Sequence, residues 1–162
     1  MTVAVRPATR ADLPLVVQLI RDLAAYEKLS HAVRFDEATL AEHLFGPRPM
    51  AEVLVAELDG VGQGFALFFH NFSTFEGKPG IYLEDLYVRP EARGAGLGKA
   101  LLQALAGLAI ARGCARLEWS VLDWNAPSIA FYRSLGARMM DEWRIMRVDS
   151  AALQQLGAVN QG

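Results

Sequence analysis

Apolar side chains recur at helical spacing early in the chain, at Leu13, Val16, Val17, Ile20 and Leu23, the signature of an amphipathic helix lying on a core. Thr9 followed by Asp12 supplies a capping start, and the stripe runs out near Tyr26 and Glu27. A shorter helix is predicted from Asp36 to Phe45, stopped by Gly46 and Pro47. Strand periodicity is read at Val3 to Arg6, Glu52 to Leu58 and Gly64 to Phe72; the last two flank Asp59 and Gly60, a hairpin-turn pair that predicts antiparallel neighbours. After the loop STFEGKPG a third long strand spans Ile81 to Val88 and stops at Arg89 and Pro90. A glycine-rich turn then opens a helix from Leu97 to Ala111. Ala115 to Leu122 returns to strand, Ala126 to Leu135 to helix, and Met139 to Val148 to a final strand pair or one broken strand. The tail after Asp149 reads as weakly ordered at its end. Hairpin-connected strands early and strand–helix–strand units late predict an α/β fold with a mixed sheet.

Composition narrows the function more than the fold. With 162 residues, 52% hydrophobic and 21% charged, the chain fits one soluble domain, residues 1–162, with a full-sized core. A formal net charge of −2 is too small to attract a phosphate backbone, and basic residues do not interleave with aromatics, so nucleic acid is not expected as a partner. The single cysteine, Cys114, excludes an internal disulfide and lacks zinc-ligand spacing; it reads as a small buried hydrophobe. His31, His43 and His70 are scattered without metal-ligand spacing, so no metal is expected. Neither a signal-peptide core nor a run of roughly 20 apolar residues is present. A cytoplasmic protein without a membrane segment is the expectation.

The chemistry concentrates in the turn RGAGLG, Arg93 to Gly98. Glycines between a strand and a helix present backbone N–H groups to an anion, and the helix N-terminus adds its dipole. Two familiar phosphate motifs do not fit. A P-loop requires two glycines separated by four residues, then Lys and Ser or Thr; Gly98 and Lys99 match, but position 93 is Arg and position 100 is Ala, which leaves no hydroxyl for Mg²⁺. A dinucleotide fingerprint requires a third glycine three residues after the second, and from Gly94 or Gly96 that place holds Lys99 or Leu101.

Arg93, Gly96 and Gly98 instead satisfy the pattern Arg/Gln-x-x-Gly-x-Gly/Ala. Together with the preceding YLEDLYVRPEARG and the later WNAPSIAFYRSLGA, this resembles the GNAT acetyltransferases, whose pyrophosphate-binding turn lies between the fourth strand and the third helix. From about Arg6 to Asp149 the resemblance is to the diamine subgroup, which includes the spermidine/spermine and thialysine N-acetyltransferases. AYEKL, STFEGK, IYLEDLYV and VLDWN carry it. It implies a mostly antiparallel mixed sheet flanked by helices, acetyl-CoA as acetyl donor, direct transfer to an amine, and a homodimer with acceptor sites near its interface. By the same resemblance the cofactor meets backbone groups of Leu86 and Val88, the turn residues Arg93, Gly94, Ala95, Gly96, Leu97, Gly98 and Lys99, and Asn125 and Tyr132.

Acyl transfer to an amine requires a neutral nitrogen, a polarised carbonyl and stabilisation of the departing thiolate. An alkylamine of pKa near 10.4 is neutral in fewer than about one molecule in a thousand at pH 7. Glu84 is the candidate base, directly or through water, because the resembling family places a glutamate there. In a regular strand Asp85 would point to the opposite face, although a bulge could bring both carboxylates near the site. Tyr132 carries over as hydrogen-bond donor to the leaving sulfur. Full proton transfer from a phenol near 10 to a thiolate near 8.5 runs uphill by roughly 2 kcal/mol, so Tyr132 is expected to share its proton.

A polyamine-like acceptor calls for an acidic site with an apolar channel. Tyr26 and Glu27 match the subgroup's acceptor pair, the resemblance has Glu84 face the same acceptor, and Asp141 falls near a further acidic position for which Glu142 is the alternative. Ser73 stands where the spermidine/spermine enzymes carry an aspartate, as it does in the thialysine branch. That shifts the expectation from long polyamines toward short diamines, thialysine-like amino acids or another small amine. The alternatives are a protein or peptide N-acetyltransferase and a non-catalytic acyl-CoA sensor. Trp119, Trp124 and Trp143 read as core or dimer-contact aromatics.

Overall fold

The computed structural model describes residues 1–158, in two compact units, Met1–Ser120 and a second beginning at Val121. In the first, strand β1 (Val3–Pro7) leads into a single 3-10 turn at Arg10–Asp12 and helix α1 (Leu13–Tyr26). Thr9 and Asp12 form the capping box, with the Thr9 backbone N–H donating to Asp12 Oδ2 at 2.7 Å. The same carboxylate receives Arg6 Nη1 at 2.8 Å, which ties β1 to the start of α1. Helix α2 (Glu37–Phe45) follows, with the Asp36 side chain accepting from the Thr39 N–H.

Strands β2 (Glu52–Leu58), β3 (Val61–Ser73) and β4 (Lys78–Val88) form a meander. Helix α3 (Leu97–Ala111) and the short β5 (Leu117–Trp119) complete the unit. Sheet order is β1-β2-β3-β4-β5; the first three pairings are antiparallel and β4 with β5 is parallel, the mostly antiparallel mixed sheet expected.

The two sheet faces divide by alternation. Val53, Val55, Phe65, Leu67 and Tyr87 pack against Val16, Leu19 and Leu23 of α1 and Leu44 of α2. Leu54, Ala66, Phe68, Ile81 and Leu83 occupy the other face, where α3 crosses the sheet with Leu97, Leu101 and Leu105 buried. Burial of this many branched and aromatic side chains from water is the dominant favourable term in the unit.

Several local expectations change. The segment STFEGKPG is no open loop: β3 and β4 stay paired to Ser73 and Lys78, with only residues 74–77 turning. At about 3.4 Å per residue that tip stands roughly 20 Å along β4 from Glu84. Cys114 is only half-buried, so it does not sit in the core. Strand β5 is shorter than the segment 115–122 predicted, because it finds a partner only at Ile81–Leu83.

The second unit contains helix α4 (Ala126–Ser134) and helix α5 (Ser150–Ala158). Residues 139–148 form no strand ladder. Their alternating apolar side chains, Trp143, Ile145 and Met146 among them, are exposed, since a strand exists only where another edge supplies its hydrogen bonds. Helix α5 occupies the start of the tail after Asp149; the end of that tail, read as weakly ordered, lies outside the described residues. Among the described residues no helix is long and apolar enough to cross a membrane.

Candidate active site

The decisive local feature is a β-bulge in β4. Leu67 pairs with Asp85 and Phe68 with Leu83, leaving Glu84 as the inserted residue without a partner on β3. Ile81, Leu83 and Leu86 therefore share the α3 face, opposite His70, Phe68 and Ala66. Tyr82, Asp85 and Tyr87 share the α1 face, opposite Phe69, Leu67 and Phe65. A bulge re-aims its side chains and bends the strand, and here it brings Glu84 close enough for its charge to act on Asp85.

Asp85 is partly buried beside two other carboxylates. Burial, the Glu84 charge and the Glu27 charge together push its carboxyl up to about 7. Glu27 closes α1 as its C-cap, and burial raises its carboxyl as well. Glu84 is exposed. Tyr26, 38% exposed, stands beside these carboxylates at the end of α1, with its ring 6.5 Å from that of Tyr87. Three acidic groups and two aromatic rings thus converge at the C-terminal ends of α1 and β4, a combination that would hold a cation with an apolar stem.

The turn after β4 has the geometry of an anion cradle. Gly94 and Gly96 adopt φ of +88° and +87°, with no atom within 4 Å of where a Cβ would stand. Backbone conformation, not crowding, requires glycine there. The first helical bond of α3 runs from Ala100 N–H to the Gly96 carbonyl. The N–H groups of Gly94, Ala95, Gly96, Leu97, Gly98 and Lys99 make no hydrogen bond to a described residue, and Lys99 is exposed beside them. These residues fit a pyrophosphate.

The Arg93 side chain turns away from the cradle: Nε donates to the Val88 carbonyl at 3.1 Å, and the guanidinium lies 5.2 Å from the Tyr26 ring and 5.7 Å from the Tyr87 ring. Because β5 pairs only with Ile81–Leu83, the outer edge of β4 through Leu86 and Val88 carries no neighbouring strand among the described residues, leaving backbone groups there for a ligand's amides.

In the second unit Asn125 is the N-cap of α4 and is buried, its Oδ1 accepting from the Ser128 N–H at 3.4 Å. Tyr132 lies on α4 with its ring 5.6 Å from that of Phe131. Asp141 and Glu142 share one exposed turn. A separate apolar cavity of about 610 Å³, lined by Val5, Pro7, Leu54, Phe68 and Leu108 with the Glu52–Arg112 ion pair, contains none of the predicted site residues. No cluster of three or more His, Cys, Asp or Glu that could hold a metal occurs among the described residues.

The fold, the glycine turn and the carboxylates beside it define an acyl-transferring class of protein, and sequence comparison agrees. The chain matches the acetyltransferase (GNAT) family over residues 17–137 and belongs to it; it is an N-acetyltransferase. It is 38% identical to the thialysine N-epsilon-acetyltransferase of Bos taurus, over 95% of this chain and 96% of that one. It is 33% identical to an L-ornithine N5-acetyltransferase of Arabidopsis thaliana, over 96% and 88%. An integron cassette protein from the mobile metagenome of V. cholerae superposes with a TM-score of 0.80 at 30% identity, covering 97% of this chain and 98% of that one.

Sequence reasoning named Asp85 as the neighbour of Glu84 that a bulge could bring near the site, and passed over Tyr87. The signal for both was present: the apolar positions Ile81, Leu83 and Leu86 step by two and then by three, as a strand with one inserted residue must.

Proposed function

We propose that this acetyltransferase moves the acetyl group of acetyl-CoA directly onto the terminal amine of a small cationic acceptor, a short diamine, a polyamine or a thialysine-like amino acid. The observation that carries the reading is the convergence of Glu27, Glu84 and Asp85 with Tyr26 at the end of β4. An ammonium group finds opposite charge there, and a methylene chain finds aromatic surface. The names of the relatives above, which specify thialysine and ornithine, support the same acceptor class.

In this reading the N–H groups from Gly94 to Lys99 hold the pyrophosphate, with Arg93 bracing the turn. Leu86 and Val88 offer backbone groups to the pantetheine arm and thioester, and Asn125 contacts the cofactor. Acetyl-CoA supplies the activated thioester. A carboxylate at the bulge, Glu84 by family resemblance, removes the ammonium proton, directly or through water. Tyr132 donates a hydrogen bond to the departing sulfur, sharing its proton. Tyr26 and Glu27 position the near end of the acceptor, and Asp141 or Glu142 a distal charge.

We further propose that both units work as one catalytic domain, in the cytoplasm, as a homodimer. The exposed apolar side chains between Met139 and Val148 support self-association. Light scattering at micromolar concentration should give the dimer mass, and a monomer mass would remove that part. The acceptor is tested by free-thiol release from acetyl-CoA against diamines, polyamines, thialysine, lysine, ornithine and short peptides. Small diamines or thialysine should be turned over and peptides should not. Preferred turnover of peptides would replace this reading with a protein acetyltransferase; acetyl-CoA binding without thiol release on any amine would replace it with an acyl-CoA sensor.

A further inference from the structure

Resting on that reading of the acceptor site, but departing from it in the choice of base, we infer that Asp85 is the first acceptor of the ammonium proton and that Glu84 relays it to water. The register separates the two residues. Asp85 pairs with Leu67 and sits on the α1 face between Tyr82 and Tyr87, partly buried, whereas Glu84 is the inserted residue and is exposed.

The Asp85 side chain makes no hydrogen bond or ion pair among the described residues. Among the described residues the charges that act on it are both negative, those of Glu84 and Glu27. On α1, Glu27 is a second carboxylate, and Asp22 is engaged with Arg89 at 3.8 Å. On β4, Glu84 is a third carboxylate. Arg93, in the turn, is committed to the Val88 carbonyl and to the Tyr26 and Tyr87 rings. A desolvated carboxylate facing two others binds a proton more tightly than an exposed one, and its carboxyl stands at about 7, near the operating pH of an efficient base. Glu84, linked to Asp85 by charge and open to water, is placed to carry the proton out.

The proton balance closes. The ammonium gives one proton to an Asp85 oxygen, which yields a neutral amine and a neutral carboxylic acid. The amine nitrogen bonds to the thioester carbon, the C–S bond breaks, and the second nitrogen proton neutralises the thiolate. Asp85 then returns its proton through Glu84 to water. The products are amide, free thiol and one released proton.

Two measurements test the assignment. In the pH dependence of kcat/KM for a small diamine, wild type should show a lower limb near pH 7. Asp85→Asn should fall by about 10²- to 10³-fold at pH 7 and lose that limb, its residual rate rising tenfold per pH unit toward the pKa of the amine. Glu84→Gln should fall by about tenfold or less and keep the limb, and Asp85→Glu should recover part of the rate. Loss of the limb in Glu84→Gln with its retention in Asp85→Asn would overturn the proposal.

The second measurement needs no acceptor. Infrared difference spectra of the acetyl-CoA complex between pH 5.5 and pH 8.5 should show a protonated-carboxyl C=O band in wild type and Glu84→Gln that Asp85→Asn lacks. No such band in wild type, or its persistence in Asp85→Asn, would overturn the assignment of Asp85. Absence of turnover with every amine would instead sink the acceptor reading, leaving the infrared result to decide Asp85.

Discussion

The guanidinium of Arg93 lies 5.2 Å from the ring of Tyr26, joining the first residue of the phosphate-cradle turn to a wall of the proposed acceptor site. Tyr87 completes the stack at 5.7 Å. A cation over an aromatic face contributes roughly 0.5–2 kcal/mol, and Arg stacks where Lys does not. Arg93→Lys should therefore raise the acceptor KM by about 3- to 10-fold while kcat stays within about twofold. Steady-state kinetics against both substrates checks this. A change confined to the acetyl-CoA KM would mean that Arg93 serves the cofactor alone.

Glycine at position 96 is a conformational requirement. With φ at +87° and open space where a Cβ would stand, Gly96→Ala meets no clash but places an L-residue in the left-handed region, at about 1–2 kcal/mol. The turn should relax toward another conformation, and acetyl-CoA should bind about 5- to 10-fold more weakly. Isothermal titration gives the affinity. Unchanged binding would show that the cradle does not depend on this dihedral.

Tyr132→Phe removes the hydroxyl and keeps the ring that packs beside Phe131. Turnover should drop by about 10- to 100-fold with acetyl-CoA affinity unaltered, because the lost hydrogen bond acts on a charge that develops only as the C–S bond breaks. Single-turnover thiol release separates chemistry from binding. Equal rates for the two proteins would take Tyr132 out of the reaction.

Two aspartates should give the stability profile opposite slopes. The Arg6 side chain beside Asp12 holds that carboxyl down at about 2 against an ordinary 3.8. Its contribution is present above pH 4 and lost as pH falls toward 2. Burial and the charges of Glu84 and Glu27 hold Asp85 up at about 7 against 3.8. The folded chain thus binds the extra proton between those values, and stability declines as pH rises through that window. Asp12→Asn should flatten the acid limb. Asp85→Asn should flatten the decline from pH 4 to 7 and raise stability at pH 8 by on the order of 1–3 kcal/mol. Denaturant melts from pH 3 to 9 read both effects.

The amino-acid order determined what depends on neighbours along the chain. The 3.6-residue stripe of α1, the Thr9–Asp12 cap, the Asp59–Gly60 hairpin and the Arg93–Gly98 turn are local commitments of propensity and backbone conformation, and each is found in place. The bulge was written as the uneven step Ile81, Leu83, Leu86, yet only pairing with β3 made Glu84 the inserted residue. Tertiary structure decided the rest. The carboxyl at position 85 is pushed up once burial strips its water and the charges of Glu84 and, from α1, Glu27 act on it. Strand periodicity between Met139 and Val148 yields no strand, because alternation sets which way side chains face and cannot provide the edge that the backbone must pair with.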